Sequence, residues 1–527
     1  MVPIWSELFS NHFIASYIIF LVMYKLQVLL LAVIVAVCLS EGIHVDLQNS
    51  LLKDSSGRYR LYHGVNAVYK IFPFHPITDH FDSNSSLCEE DLMNLQAWGM
   101  NVIRLHVAWE GVEPQRGQYN FTYIQKLREI VQSCDKYGIS VILDSHQDLF
   151  SKKFCGEGFP DWAVKHNHTF PFPLPIKLRK DAQGYPLVED CLKQPFALFY
   201  TTYDVMRFQQ DFFTDADGIA GHFANMWIEV AKVMHDLPNV LGYEIVNEPS
   251  GANLYDYPYN FLWPGVSNNK FLLPFYKRVN KAIRSIDKQK LLFFEPSVVD
   301  VFAGGFVETP GGIFELEKQV FSYHLYCPLV TSQGQPTSPS FCKKFDELTL
   351  QSKFDNYKAL GVGGFLTEFG ALSDSTKSAD EVLRITKFAE DNFQSWVYWQ
   401  FKYFQDVTTA AKPATTESFY FENGTLQTHK VRALTHPYAY AICGEPVSSE
   451  FTDSSFRFTF QLGFCGDYVY SEIYINEPLY FPNGFGVLFE PACPQCHLEQ
   501  IRPSYYKVVV PQTLKNKQVT VRVVAQI

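Results

Sequence analysis

The chain has 527 residues, a formal charge of -11 and 16% aromatic residues, with 46 Phe and 30 Tyr. That length exceeds one small domain and has room for a (β/α)8 barrel plus a second unit. The acidic balance, with no run of Lys and Arg, excludes a nucleic-acid partner, which needs a clustered basic face. The aromatic content has two readings: packing of a large core, or sugar stacking and lipid contact.

From the N-terminus, Phe13 to Leu39 is apolar, broken only by Lys25 and a few weakly polar residues. Read from Met23, MYKLQVLLLAVIVAVCLS has a short basic start, an apolar stretch and small residues near Ser40, the pattern of a secretory signal. Residues 1–42 are therefore set apart as an extension plus signal peptide. A signal anchor is the alternative, because about 20 apolar residues can span a bilayer. The expected location is outside the cell or in the lumen of a lysosome or similar acidic vesicle.

Eight short apolar runs follow: YRLYHGVNAV (59–68), NVIRLHVAW (101–109), SVILDSHQD (140–148), VLGYEIVNEP (240–249), KLLFFEPS (290–297), FSYHLYC (321–327), GGFLTEFG (363–370) and SWVYWQF (395–401). They are continuous rather than alternating, as strands covered on both faces are. Helical patterns such as FTYIQKLREIVQSCDKYG, FANMWIEVAKVMHD and SADEVLRITKFAEDN lie between them. Strands alternating with helices over 43–434 predict an α/β fold, a (β/α)8 TIM barrel. Its longest insertion, Leu149 to about Thr214, is rich in Phe, Pro and Tyr and is expected to form an ordered wall of a binding site. After Thr435, FRFTFQLGF, YVYSEIYIN, YKVVVP and QVTVRVVAQI predict a C-terminal antiparallel β-sandwich over 435–527.

Of 11 Cys, Cys38 falls in the signal-like segment. Cys88, Cys134, Cys155, Cys191, Cys327 and Cys342 precede residue 435, and Cys443, Cys465, Cys493 and Cys496 follow it. Even numbers on each side favour pairing within each half, in an oxidising compartment. The CPQC at 493–496 has no second ligand pair for tetrahedral zinc, so no metal is expected. Sequons at Asn84, Asn120, Asn167 and Asn423 suit a secreted glycoprotein.

Residues at the carboxyl ends of barrel strands line the active-site face. They are Arg104, His106 and Trp109 on strand two, His146 and Asp148 on three, and Asn247 and Glu248 on four. Glu295 ends strand five, His324 and Tyr326 strand six, Glu368 strand seven, and Trp399 and Lys402 strand eight. No Ser-His-Asp order, phosphate loop or HExxH is present. Glu248 and Glu368, about three βα units apart, are expected to face one another across the mouth as a retaining pair about 5 Å apart. One carboxyl attacks the anomeric carbon while the other protonates the leaving oxygen, and Arg104 and Asn247 would separate their ionisation. Taken singly each residue has a plainer reading: Glu295 as a loop-capping acceptor, His146 and His324 as structural histidines, Arg104 as a buried ion-pair partner.

These residues carry a resemblance to the family 5 glycoside hydrolases of the large (β/α)8 clan: VIRL with Arg104, the His of DSHQD, Asn-Glu-Pro at 247–249, His324 with Tyr326, TEFG at 367–370 and the Trp of YWQF. The resemblance implies Glu248 as acid/base and Glu368 as nucleophile. It also implies Arg104 orienting Glu368, Asn247 on the substrate 2-hydroxyl, His324 and Tyr326 supporting the carboxylates, and Trp399 as floor. Within the family the chain is most similar to the endoglycoceramidases, through HGVNAVYKIFPFHP, DSHQDLFSKKFCGEGFPDWA, LGYEIVNEPSG and HPYAYAICGEP. That implies hydrolysis of the bond between oligosaccharide and ceramide in glycosphingolipids, with Lys70 and Asp148 on the glucose next to ceramide. The implied protein has no cofactor, is a monomer, and touches a membrane surface or lipid micelle transiently. The alternatives are a β-glucosidase of glucosylceramide or steryl glucoside, and a non-catalytic glycolipid-binding protein.

Overall fold

The computed structural model describes residues 42–165, 178–251, 253–301, 305–409, 412–465 and 470–526. The signal-like segment and the sequon at Asn167 lie outside the described residues. Three short strands come first, β1 (His44–Asp46), β2 (Leu51–Lys53) and β3 (Tyr59–Arg60). Eight parallel strands then close into a barrel: β4 (His63–Ala67), β5 (Val102–His106), β6 (Ser140–Asp144), β7 (Val240–Glu244), β8 (Leu291–Phe294), β9 (Gln319–Leu325), β10 (Gly363–Gly370) and β11 (Ser395–Trp399). β11 pairs with β4 to complete the ring.

Along each barrel strand the inward positions change character with height. On β5 the apolar Val102 is followed inward by Arg104 and His106, and on β6 Ile142 is followed by Asp144. Val102, Ile142, Leu291, Phe293, Val320, Phe365 and Val397 form the lower plug. Val45 and Leu52, from the β1–β2 hairpin, pack under it and close the floor. Each such side chain contributes about 1.5–3 kcal/mol by leaving water.

The expected first strand, YRLYHGVNAV, is two strands. β3 leaves the barrel and joins a seven-stranded antiparallel sheet, β1-β2-β3-β12-β15-β18-β17, while β4 begins the barrel. The added strands are β12 (Tyr438–Ile442), β13 (Gly444–Thr452), β14 (Ser455–Leu462), β15 (Tyr470–Tyr474), β16 (Phe485–Glu490), β17 (His497–Arg502), β18 (Tyr505–Val509) and β19 (Gln518–Ala525). β13-β14-β19-β16 form the facing sheet of the sandwich. The N-terminal strands thus belong to the C-terminal sandwich, with Arg60 opposite Ala441 and Tyr59 opposite Ile442.

The sandwich grips the barrel's lower side by defined bonds. Tyr438, Tyr474 and Tyr505 donate their hydroxyls to the carbonyls of Gly99, Ala97 and Gln96 at 2.7, 2.8 and 2.7 Å. Gln96 and Ala97 end the helix Glu89–Ala97 and Gly99 follows it, a stretch where carbonyls lack a full set of intrahelical donors. His63 stacks between Trp396 and Tyr438 at 4.2 and 3.6 Å.

Four disulfides form, Cys155–Cys191, Cys327–Cys342, Cys443–Cys465 and Cys493–Cys496, each within its own half. Cys88 and Cys134 stay free and buried, so pairing of all six cysteines before residue 435 does not occur. They sit on different helices and pack as small apolar side chains. Residues 166–177 of the Phe-rich insertion lie outside the described residues; of the rest, the aromatic residues that flank that stretch are core. Phe150, Phe159, Phe208 and Phe212 stack on one another and on Trp109, with Phe159 4.9 Å from both Trp109 and Phe212. Among its described residues, Phe196 and Ala197 reach the cavity at the barrel mouth.

Candidate active site

Arg104 organises the mouth. Fully buried, its guanidinium donates from Nε to Glu244 at 2.5 Å, from Nη1 to Glu368 at 2.6 Å and Asn66 at 3.0 Å, and from Nη2 to Asn247 at 2.9 Å. Asp144 lies 3.0 Å from Nη2. This planar fork fixes four strands relative to one another, a geometry lysine cannot copy.

Glu368 stands where β10 is irregular: its register shifts between Leu366 and Glu368, a bulge that re-aims the side chain. The next turn needs glycine, because Gly370 has φ +123° and a Cβ there would lie 2.3 Å from the Tyr398 ring. Tyr326 donates to Glu368 Oε2 at 2.9 Å. Glu248 is not at a strand end: β7 stops at Glu244, and Glu248 lies in the following loop with φ +44°. His324 Nδ1 meets its Oε1 at 2.8 Å. One oxygen each of Glu248 and Glu368 and a nitrogen of His324 lie within 4.8 Å of one another. The pair therefore has the spacing of retaining glycosidases, about 5–5.5 Å, and not the roughly 6.5–9.5 Å of inverting ones.

Five carboxylates, Asp144, Glu244, Glu248, Glu295 and Glu368, meet Arg104 and His324. Burial pushes Glu368 up to about 7, opposed by His324 and Arg104 and reinforced by Glu248 and Glu295. Arg104 thus pulls Glu368 toward ionisation, but burial outweighs it. His324 is lowered by burial, yet Glu295 and Glu368 overcome this and hold it well above an ordinary histidine. Burial lowers His146, helped by Lys70 and Arg104, so this ring is neutral. The groups near enough to share a cation, Glu248–His324–Glu368 and Glu244–Glu295–His324, coincide with this network, in which Arg104 and Tyr326 engage Glu244 and Glu368 and His324 meets Glu248.

A cavity of about 450 Å³ opens over the pair. His146, Asp148, Asn247, Asp406, Thr408 and Glu417, from loops after β6, β7 and β11, supply polar groups to its lining. Leu325 at the end of β9, with Pro328, Val330 and Leu372 after β9 and β10, supplies apolar ones. Trp399 forms part of the wall, stacked on His146 at 5.0 Å and donating Nε1 to Glu417 at 3.3 Å.

Arg104, His146, Asp148, Asn247, His324, Tyr326 and Trp399 are all brought to the Glu pair or its cavity. Lys70 is not free there: its buried ammonium is taken by Asp148, Asp406 and Thr408 at 2.7, 2.9 and 2.7 Å, behind the wall. Trp109 points away, donating to Glu113 at 2.9 Å in the aromatic core. Lys402 binds Asp91 at 2.5 Å and is structural. His106 is buried edge-on to His146, and burial lowers it to about 3. Sequence reasoning missed Asn66, Asp144, Glu244, Asp406, Thr408 and Glu417. Asp144 and Glu244 lie two and four residues before motif positions, whereas nothing local marks Glu417.

Comparison with known proteins agrees with this geometry. Residues 72–405 match the model of cellulase (glycosyl hydrolase family 5), and residues 436–523 that of the glycoside hydrolase family 5 C-terminal domain. The chain is 36% identical to an endoglycoceramidase of Cyanea nozakii over 85% of its own length and 87% of the relative's. It is 34% identical to one of Hydra vulgaris, over 87% of its own length and 86% of that protein's. The fold matches endo-glycoceramidase II of Rhodococcus sp., solved as a ganglioside GM3 complex, with TM-score 0.69 and 22% identity over 91% of this chain and all 100% of that one. By family model, relatives and barrel, this chain belongs to glycoside hydrolase family 5, among the endoglycoceramidases.

Proposed function

We propose that this protein is a retaining endo-β-glycosidase that cleaves glycosphingolipids between oligosaccharide and ceramide. The observation that carries the reading is the cavity over Glu248 and Glu368, whose lining joins polar His146, Asp148, Asn247 and Glu417 to apolar Phe196, Leu325, Val330 and Leu372. A sugar head joined to an apolar tail has its scissile bond at such a boundary. Glu368 attacks the anomeric carbon and forms a glycosyl-enzyme while Glu248 protonates the ceramide oxygen; Glu248 then takes a proton from water, which releases the sugar. Beside the main cavity a smaller one of about 180 Å³, lined in part by Val298, Val301, Leu325 and Phe345, also touches Glu248. Val298 is itself 41% exposed, and Trp263 and Val307 are 66% and 79% exposed. Asn269 ties the two segments, accepting from the Val307 N–H at 2.9 Å and donating to the Gly265 carbonyl at 2.8 Å, and we assign these exposed apolar side chains to the lipid surface.

Incubating the purified protein with a ganglioside, glucosylceramide and a cellulose oligomer, with products identified by mass, tests the reading. Free oligosaccharide with intact ceramide supports it. Glucose from glucosylceramide alone favours the β-glucosidase alternative, and binding without products overturns catalysis. We also infer export through the secretory pathway, on the strength of four disulfides and exposed sequons at Asn120 and Asn423. Secretion from eukaryotic cells with a glycosidase-sensitive mobility shift is the expected result.

A further inference from the structure

Glu295 follows β8 and stands outside the pair that does the chemistry. Its side chain is buried, and its two oxygens have different tasks. Oε2 accepts the backbone N–H of Glu248 at 3.2 Å. Oε1 lies 3.2 Å from His324 Nε2 and 3.7 Å from Arg104 Nη2. His324 presents its other nitrogen, Nδ1, to Glu248 Oε1 at 2.8 Å, and the same nitrogen is 3.4 Å from Glu368 Oε2. Glu248 is thus held by its backbone and by its side chain, and both holds lead back to one carboxylate. The backbone hold has a purpose, since φ +44° is a left-handed conformation that side chains other than glycine rarely adopt.

The charged groups around His324 come from five elements. Glu244 and Glu248 come from β7 and its loop, Glu295 from the end of β8, and Glu368 from β10. Arg104 on β5 supplies positive charge beside Glu295, and Lys353 of the helix Pro339–Leu360 shares the small cavity with Glu295 and His324. Of these, Glu295 is the carboxylate on Nε2, the side of the ring turned away from the reaction.

We propose that Glu295 is the positioning residue of the acid/base: through His324 and the Glu248 N–H it fixes Glu248 in its left-handed turn and keeps a charged imidazole on the Glu248 carboxyl. The proposal rests on the glycosidase reading above. His324 keeps its proton throughout the cycle. Glu248 gives its proton to the leaving oxygen and becomes a carboxylate beside the imidazolium; it regains a proton from water as the glycosyl bond breaks. An imidazolium beside a carboxyl favours its ionised form, and that charge is what Glu295 keeps in place.

Glu295→Gln separates charge from shape. Its amide oxygen accepts the Glu248 N–H and its NH2 donates to Nε2, which suits a neutral His324 protonated on Nδ1. Glu248 then faces a neutral ring. The alkaline limb of kcat/KM on glycolipid should move up by about one pH unit. The acid limb moves less, because loss of the Glu295 charge and loss of the His324 charge act oppositely on Glu368. On an aryl glycoside with a good leaving group, which needs no proton from Glu248, the alkaline shift should be absent. Glu295→Ala removes both holds and should cost more than tenfold on glycolipid while circular dichroism remains that of the folded protein. Glu295→Gln that only lowers the profile, with both limbs unmoved, overturns the proposal. So does an equal alkaline shift on the aryl substrate. Wild-type protein inactive on both substrates overturns the glycosidase reading itself, and the proposal with it.

Discussion

Tyr326→Phe is a clean test of how the nucleophile is tuned. The substitution keeps the ring and removes one hydroxyl, which donates to Glu368 Oε2 at 2.9 Å. A hydrogen bond to an ionised group is worth about 1.5–3 kcal/mol. At about 1.4 kcal/mol per pKa unit, its loss should raise Glu368 by roughly 1–2 units. Burial already holds this carboxyl at about 7, against the pull of His324 and Arg104. The nucleophile must be ionised, so the acid limb of kcat/KM should move to higher pH by that amount. The assay is a pH profile on an aryl β-glycoside with a good leaving group, which keeps the demand for Glu248 low. Stability follows the same linkage. A carboxyl raised from 4.5 to about 7 stabilises the fold fully below pH 4.5, and that contribution is lost as pH rises through 7. The melting temperature of Tyr326→Phe should therefore fall further behind wild type as pH rises. An acid limb that stays in place would refute this account of Glu368.

Three further outcomes follow from the same geometry. Glu368→Gln should lose several powers of ten in turnover for want of a nucleophile, yet melt higher than wild type above about pH 7, where a buried carboxylate no longer has to be ionised; unchanged turnover refutes the assignment. Glu248→Gln should lose most on glycolipid and least on activated aryl glycosides, with azide restoring part of the latter, and equal losses on both would count against an acid role. His436, whose nitrogens lie 2.7 Å from both Glu390 and the Ala433 carbonyl, is lowered by burial but raised overall by Glu390. Its contribution is present below pH 6.5 and lost as pH rises through its raised value, so His436→Gln should cost a few degrees in acid and little in alkali. Melting curves across pH check this, and a difference independent of pH contradicts it.

The barrel strands were legible because strands buried on both faces leave continuous apolar runs, and helices of period 3.6 separate them. Arg104, Tyr326 and the Glu pair were legible because strand ends and the loops that follow them converge at the mouth, although Asn247 and Glu248 lie in the loop after β7. What was hidden depends on direction and distance. Glu244 and Asp144 sit within apolar strands, where only the folded barrel shows a buried guanidinium opposite them. Trp109 and Lys402 occupy strand-end positions, but local helical turns and Asp91 draw their side chains elsewhere. The Phe-rich insertion shows the limit of composition, since the same residues make a binding wall or a core depending on which way they face. β3 was read into the barrel because its partner, β12, lies too far along the chain for any local pattern to reveal.

That last pairing governs how the molecule is assembled. Arg60 bonds to Tyr440, 380 positions later. At about 5–20 residues per second of synthesis, the first strands wait roughly 20–80 s for their partner to be made. Until then the hairpin that seals the barrel floor has an open edge. A nascent chain that has already made both catalytic carboxylates is still unfinished at its base, so its quality is decided by its last hundred residues. A chain stopped before β12 carries Glu248, Glu368 and the hairpin beneath them, but not the strand that pairs with β3.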